Sequence, residues 1–534
     1  MINPVKTLVI NNFQGRMTQY TDGDINSGFS SVFESSGASP FVLPGKLTWG
    51  ADSTRIDPNE SVLTDLIMCG KERVEGDILY VYAVGHTGRV YKIQVNDPVT
   101  YNPDYDNPVL LTTITSGSPT FTMGGFIDFY GATEKIYIGH DKGVTTINFD
   151  GTGEAAVSGS WTQNVPRPLK QFIGKLYIGN GSNIAEIDST ATVTSSTKLS
   201  PGFPTNSQVR DMDVSPDGTY LQIVVSRLAL TSMLATTENA SVASSTESYI
   251  FKWNGTDTGY TSFTTFPSFS LTANTMFQNY QYTFGYDQNG GAVFNPNDKI
   301  LSLQEVLAPN PNAVSSNGNM LSFITPLFYG GAMEAEIFYW GAFDHEIGTG
   351  LWDLFFQLAT GTETDIIRVP CQIPVSNFGI GSSSNGYADN IFSTPKIYFS
   401  TLETSATPTT KYKLYKWSPL TSPFFTPDAF IDAIYQTQSQ VFSKKIKIHE
   451  VRVYGQPWVA NNSFLIDLIG SGGTPITNGS KTFATGSNLT VGDDFAWYTP
   501  QCAPTYQLAL RITNKGTANH TIDKVEIDYS EGGK

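Results

Sequence analysis

Two stretches of this chain are close variants of one phrase. "KIYIGHDKGVTTINFDG" runs from Lys135 to Gly151, and "KLYIGNGSNIAEID" begins 40 residues later at Lys175. In the first, Ile136 and Ile138 alternate with Tyr137, "GHDKG" makes a turn, and Val144 and Ile147 open a second strand. Alternation with period two around residues that tolerate positive φ is the pattern of a β-hairpin. Related phrases are "ILYVYAVGHTGRVYKIQV" from Ile78, "YLQIVVSR" from Tyr220 with "SYIFKWNG" ending at Gly255, and "YQYTFGYDQNGGAVFNP" from Tyr280. "EIFYWGAFDHEIGTGLWDL" from Glu336 and "KIYFSTLETSATPTTKYKLYKW" from Lys396 complete a set of seven over about 340 residues, an average spacing near 50.

A recurrence of that length is the spacing of propeller blades, small sheets that must stack to bury their faces. Ring closure also protects the sheet edges. The turn "VSPDGTYL" from Val214 resembles the "SPDG" turns of WD40-like and TolB-like propellers, although Pro-Asp-Gly suits any β-turn. The expected fold is therefore all-β: a β-propeller of about seven blades, give or take one or two, over 55–417. The stretch "SPLTSPFFTPD" carries Pro419, Pro423 and Pro427 and reads as a stiff linker over 418–428. Beyond it, "KIKIHEVRVYG", "SFLIDLIG", "YQLALRITN" and "KVEIDY" alternate afresh. They predict a C-terminal antiparallel β-sandwich of jelly-roll type over 429–534. In "KIKIHEVRVYG" the alternation slips phase between Ile448 and Val451, as at a β-bulge. Residues 1–54, rich in Gly, Ser and Asn, read as an extended arm partly packed on the propeller, able to donate a closing strand or reach a neighbouring subunit.

The composition agrees with this. Charged residues are only 15% of the chain, aromatics 13% and hydrophobic residues 40%, a mixture that favours strands and turns. The formal net charge is −16, which repels phosphate backbones and argues against affinity for free nucleic acid. The densest basic cluster, Lys444, Lys445 and Lys447, is too short to change this. Cys69, Cys371 and Cys502 are few and far apart, so buried free thiols are expected rather than a disulfide framework or a metal knuckle. The five His show no ligand spacing. No run approaches 18 apolar residues, and the opening "MINPVKTLVINNFQGRM" lacks a signal-type apolar core, so no membrane insertion is expected.

Three groups of residues are candidates for chemistry. Asp22, Asp24 and Asn26 resemble half of a calcium loop, but the glycine is displaced and Phe33 stands where a Glu is needed; a capped turn fits better. Asp344, His345 and Glu346 cluster as paired carboxylates do in glycosidases, yet at a hairpin tip, where such groups are usually solvated. Trp161, Trp253, Trp340, Trp352, Trp417, Trp458 and Trp497 could stack on sugars, although Trp at strand ends more often packs between sheets. SxDxGxTW, GxSxG, HExxH and phosphate-binding glycine loops do not occur. No catalytic, cofactor-binding or metal-binding residue is assigned, no cofactor is implied, and the reading is non-enzymatic. Loops expected to carry specificity are Thr231 to Glu247, Asn295 to Gly318 and Asn377 to Ala388.

The two ends of the chain carry a resemblance. "INNFQGRMTQYTDGDINSGFS" resembles the opening of large structural proteins of tailed bacteriophages, where an "NF-x-G" phrase introduces a β-propeller, and "VYAVGHTGRVYKIQVNDP" fits the same group. "VFSKKIKIHEVRVYGQPWVANNSFLIDLIGSGG" and "NHTIDKVEIDYS" resemble the sandwich that often ends them. The resemblance implies a structural component of the virion tail (nozzle, hub or tip), made in the host cytoplasm. Its partners would be copies of itself and other tail proteins, with packaged DNA passing a lumen without specific binding. The alternatives are an adsorption protein that binds a host receptor or surface glycan and, more distantly, a propeller glycoside hydrolase.

Overall fold

The computed structural model describes most of 62–94, 107–227, 247–302 and 434–532 and shorter pieces of 4–56; between 303 and 417 it describes the backbone of strands. From 268 to 433 the side chains described are those of Leu271 and Thr283. Asp22, Asp24, Asn26, Asp344, His345, Glu346 and the linker 418–428 lie outside the described residues, as do most of the three specificity loops and the side chains of Trp340, Trp352, Trp417 and Cys371. Among the described residues the regular structure is all strand, with no helix.

The recurring phrase forms a series of seven four-stranded sheets. The first four consist of Ile67–Glu75, Ile78–Gly85, Arg89–Gln94 and Asn107–Thr113; then Phe126–Tyr130, Lys135–His140, Gly143–Ile147 and Ala155–Ala156; then Leu169–Phe172, Lys175–Gly179, Ile184–Ile187 and Val193–Ser195; then Gln208–Val214, Leu221–Ser226, Glu247–Trp253 and Ser262–Pro267. A fifth runs from Ser270–Phe277 to Ile300–Ser302, and a sixth from Leu327–Phe328 to Ile366–Pro374. The seventh takes Phe378–Gly379, Ile397–Thr404 and Thr410–Trp417, and its fourth strand is Thr54–Ile56, from near the start of the chain.

Burial explains the alternation. In Lys135–His140 and Gly143–Ile147 nearly every residue is buried, so both faces of the sheet are covered. Ile136, Ile138 and Ile147 pack with Tyr82, Val84 and Val90 of the first sheet. Tyr137, between the two isoleucines, and Val144 face the other way, onto Leu176, Ile178, Ala185 and Ile187 of the third. In the third sheet Tyr177 and Ile184 turn to Val209, Leu221 and Ile223 of the fourth. Successive residues of a strand point to opposite faces, so each sheet divides its apolar side chains between two cores.

Gly85 and Gly179 end the second strand of the first and third sheets, Gly139 stands one residue before the end of that strand in the second, and all three permit close approaches. A Cβ on Gly139 would stand 2.5 Å from the carbonyl oxygen of Arg167, and one on Gly179 would stand 2.7 Å from Pro168 Cδ. A second recurrence sits where the third strand ends. Thr152 N and Oγ1 donate to Asp150 Oδ1 at 2.9 and 2.6 Å, Thr190 repeats this on Asp188 at 2.9 and 2.7 Å, and Thr256 repeats it on Asn254 at 3.1 and 3.3 Å. These are Asx turns, which fold the chain back into the fourth strand.

The chain divides into two compact units: Arg55–Trp352 with Pro374–Lys416, and Met1–Thr54 with Asp353–Ile373 and Trp417–Lys534. In the second unit the described strands of 1–54 and 417–534 form one connected group, organised by the 16-residue strand Gln440–Gly455. Its first part pairs with Thr505–Asn514, and from Ile446 onward it pairs with Thr521–Glu531 and Phe495–Tyr498. The register shifts between Ile448 and Glu450, where the alternation slips. One core joins Tyr435, Phe464, Ile466, Leu468, Leu508, Leu510 and Ile512 to Ile448, Val451, Val453, Val525 and Ile527.

The N-terminal segment supplies strands to the C-terminal group: Lys6–Ile10 pairs antiparallel with Thr521–Glu531, Val32–Ser36 pairs with Ile434–Thr437, and Leu47 stands across from Ile522. The physical reason is backbone hydrogen bonding: C-terminal strands with free edges accept the segment as further strands. Among the described residues of this segment, Thr54–Ile56 joins the series of four-stranded sheets.

Gly139→Ala, which drives a methyl into backbone, is expected to cost about 1–3 kcal/mol, whereas Gly76→Ala, at φ 65° with open space around it, costs about 1 kcal/mol of backbone strain alone. Urea midpoints of the two variants check the order.

Candidate functional site

Polar side chains collect at two places in the series of sheets. The first is along the opening strands, where consecutive opening strands of the first five sheets pack against one another. Lys71 of the first sheet forms an ion pair with Asp128 of the second. Gln171 of the third donates to Asp128 Oδ1 at 3.2 Å and to the Phe129 carbonyl at 2.5 Å. Lys170 of the third lies 2.5 Å from Asp213 of the fourth. On the second strands of the next two sheets, Gln222 of the fourth donates to Thr283 of the fifth at 3.0 Å. Asp128 and Asp213 are buried, and Lys170 is a quarter exposed. Burial works against the charge of Lys170, but Asp213 foremost, with Asp211 and Asp128, outweighs it and holds the ammonium above its ordinary pKa.

The second place is the tips of the hairpins that carry the phrase, together with the segments leading into each sheet. His86 and Thr87 at the first tip close on Asp65; Thr87 N and Oγ1 donate to its Oδ2 at 3.0 and 2.6 Å. At the second tip, Thr120 Oγ1 donates to Asp141 at 3.1 Å. His140 Nδ1 accepts from Lys142 N at 3.3 Å, which places the ring proton on Nε2, facing Thr145 Oγ1 at 3.2 Å. Thr145 in turn donates to the Ser116 carbonyl at 2.9 Å. Burial first, and the Arg167 charge second, push His140 down to about 4. Arg167, fully buried, donates to Asn180 Oδ1 at 2.6 Å, to Gly179 O at 3.2 Å and to the Thr162 carbonyl. Its guanidinium stands 5.1 Å over the Trp161 ring. Burial lowers its pKa to about 10, opposed by the Asp141 charge.

Both arrangements bind protein to protein. Arg167 directs its two terminal nitrogens at backbone carbonyls and a neighbouring amide, and the lysines of the opening strands face carboxylates of the next sheet. Glycosidase chemistry needs a carboxylic acid kept protonated near neutral pH. Among the described residues, the carboxylates with shifted acidity, Glu75, Glu154, Glu186 and Glu526 among them, are all held below the usual range. Glu186 is the extreme case: its burial would raise the pKa, but hydrogen bonds from Lys175, Lys198 and Thr194 bring it down to about 2.

The tryptophans separate by environment. Trp253 and Trp458 are fully buried, the former with its N–H on the Asp257 carbonyl at 2.8 Å. Trp161 is half-buried, donates to the Val157 carbonyl at 2.9 Å and covers Gly143. Trp497 alone of the four described is exposed. Cys69 is buried and Cys502 partly so, both as free thiols, and burial raises the pKa of each. The sequence reading passed over Lys71, Asp128, Lys170, Asp213 and Arg167. The signal for the tips was the repeated Gly-His at 85–86 and 139–140; the opening-strand residues carried none, because they meet only across sheets.

No family model matches the sequence, and no curated protein matches it. Similar solved structures include the Myceliophteria thermophila Cps50 (Swd1) β-propeller domain, at 10% identity and TM-score 0.38 over 66% of this chain and 96% of that one. The Dos1 propeller is similar at 10% identity and TM-score 0.39, over 71% of this chain and 90% of that one. Trypanosoma rangeli sialidase is similar at 11% identity and TM-score 0.36, over 92% and 97%. The chain is thus an all-β protein with propeller-like neighbours.

Two outcomes are expected. Lys170→Met and Asp213→Asn should each destabilise the protein by about 3 kcal/mol, and a double-mutant cycle on urea midpoints should return a coupling of about 1–3 kcal/mol. Below pH 6.5 the unfolded chain takes up a proton at residue 140 that the folded chain refuses until about pH 4, so stability falls as pH drops through that window. His140→Asn, which copies Asn180 of the third sheet, should flatten this part of the stability-pH profile.

Proposed function

We propose that this protein is a non-enzymatic structural component of a tailed-phage virion, building part of the tail through symmetric protein–protein interfaces. In this reading the seven four-stranded sheets are the blades of one propeller, with Thr54–Ile56 completing the last blade. The strand group around Gln440–Gly455 is a β-sandwich of jelly-roll type. The observation that carries the proposal is the use made of charge on the opening strands: Lys71 with Asp128 ties the first sheet to the second, and Lys170 with Asp213 ties the third to the fourth. A body locked this way suits fixed, repeated interfaces. The resemblance of both chain ends to phage structural proteins supplies the setting. The net charge of −16 suits a surface along which DNA slides without binding.

A second reading, an adsorption protein that binds a host glycan or receptor, is favoured by one observation, the exposed Trp497. A propeller hydrolase is the third.

Cryo-electron microscopy of the particle that carries the chain tests the proposal. Copies in a ring about the tail axis, joined through the C-terminal unit, are the expected result. Peripheral single copies with loops outward would move the assignment to host recognition, and turnover of a fluorogenic sialoside or arabinofuranoside by the purified chain would overturn the non-enzymatic reading.

A further inference from the structure

The C-terminal unit carries an open sheet face with exposed aromatic side chains. The strand Phe495–Tyr498 pairs on one side only, with Gln440–Gly455, and its side chains alternate. Ala496 and Tyr498 enter the core, while Phe495 and Trp497 point outward, 38% and 56% exposed. Trp497 stands across from Arg452, which stands across from Glu526. Phe495 stands across from Tyr454, their rings 5.0 Å apart, and Lys524 lies 4.1 Å over the Tyr454 ring. Three aromatic side chains therefore share this face with a row of charged groups.

Those charges compensate one another. Arg452 lies 2.7 Å from Asp528 and 3.5 Å from both Glu450 and Glu526, and Lys524 lies 2.9 Å from Glu526. The face offers many hydrogen-bond donors and acceptors but little unbalanced charge. An anionic ligand finds the cations already engaged, and a nucleic acid meets three carboxylates. The chemistry that fits an exposed indole beside compensated polar groups is a ring with an apolar face and hydroxyl edges.

We propose that Trp497, with Phe495 and Tyr454, is a stacking platform for the pyranose rings of a neutral polysaccharide, whose hydroxyls are held by Arg452 and Glu526. The sugar lays its C–H face on the indole, the contact that makes exposed aromatics effective where one side is apolar and the other wet. The site is a binding site only, and it is independent of the virion assignment, since it is read on the isolated chain.

Affinity electrophoresis of the full chain in native gels tests it, with dextran, mannan, xylan or hydroxyethyl cellulose in the gel and polygalacturonate as the acidic counterpart. At least one neutral polymer should retard the protein. Trp497→Ala should weaken that retardation about tenfold or more, Phe495→Ala less, and Trp497→Phe should restore part of it. Because both side chains are exposed, the variants should melt where the parent protein does, and a parent-like melt alongside lost retardation counts as support. Retardation by no neutral polymer, or by polygalacturonate alone, overturns the proposal, as does retardation that survives both alanine variants. Self-association in sedimentation velocity that Trp497→Ala abolishes, without any retardation, would assign the face to a second copy of the chain and equally overturn it.

Discussion

The structure depends on one constraint: a four-stranded sheet whose adjacent residues are all apolar has two faces to cover and cannot cover them alone. Ile136 and Tyr137 are neighbours in the chain, yet they belong to different cores. Each sheet is half of the core on either side of it, so the unit of stability is the pair of neighbours rather than the sheet. Core formation of this kind explains why the phrase recurs, and why its glycines recur with it. Gly139 and Gly179 keep open the places where the chain entering the third sheet, at Arg167 and Pro168, presses against a hairpin end.

Polar groups follow the same logic. A charge taken out of water is tolerated when a partner and hydrogen bonds replace the solvent. Lys170 and Asp213 meet this condition across two sheets, and Glu186 meets it with Lys175, Lys198 and Thr194. Arg167 meets it through carbonyls and Asn180. These are contacts that fix sheets in register with one another. Their consequence is rigidity of the stacked sheets, which is what the proposed role in a symmetric assembly calls for.

The C-terminal unit solves a different problem. Its long strand Gln440–Gly455 changes partners along its length, and both ends of the chain are drawn in as strands, with Lys6–Ile10 beside Thr521–Glu531. The ion pair of Lys6 with Glu531 and the hydrogen bond of Thr7 to Asp528 decorate that pairing but are exposed, so the backbone ladder carries it. The face left uncovered by this arrangement is the one that bears Trp497.

Strand alternation, turn residues and the recurrence of a hairpin phrase were legible in the sequence, because period-two patterning and positive-φ turns are local properties of the chain. So was the phase slip near Ile448. The Asx turns at Asp150, Asp188 and Asn254 were equally local, but short enough to be passed over. The partners were not legible. That Asp128 meets Lys71 and Gln171, that Arg167 caps the carbonyl of Gly179, and that the first residues pair with the last were decided by the tertiary structure. The same holds for the tryptophans: Trp253 and Trp497 look alike in a sequence, but one closes a core and the other faces solvent. Alternation says which residues share a face; only the packing of one sheet or strand against another says what that face meets.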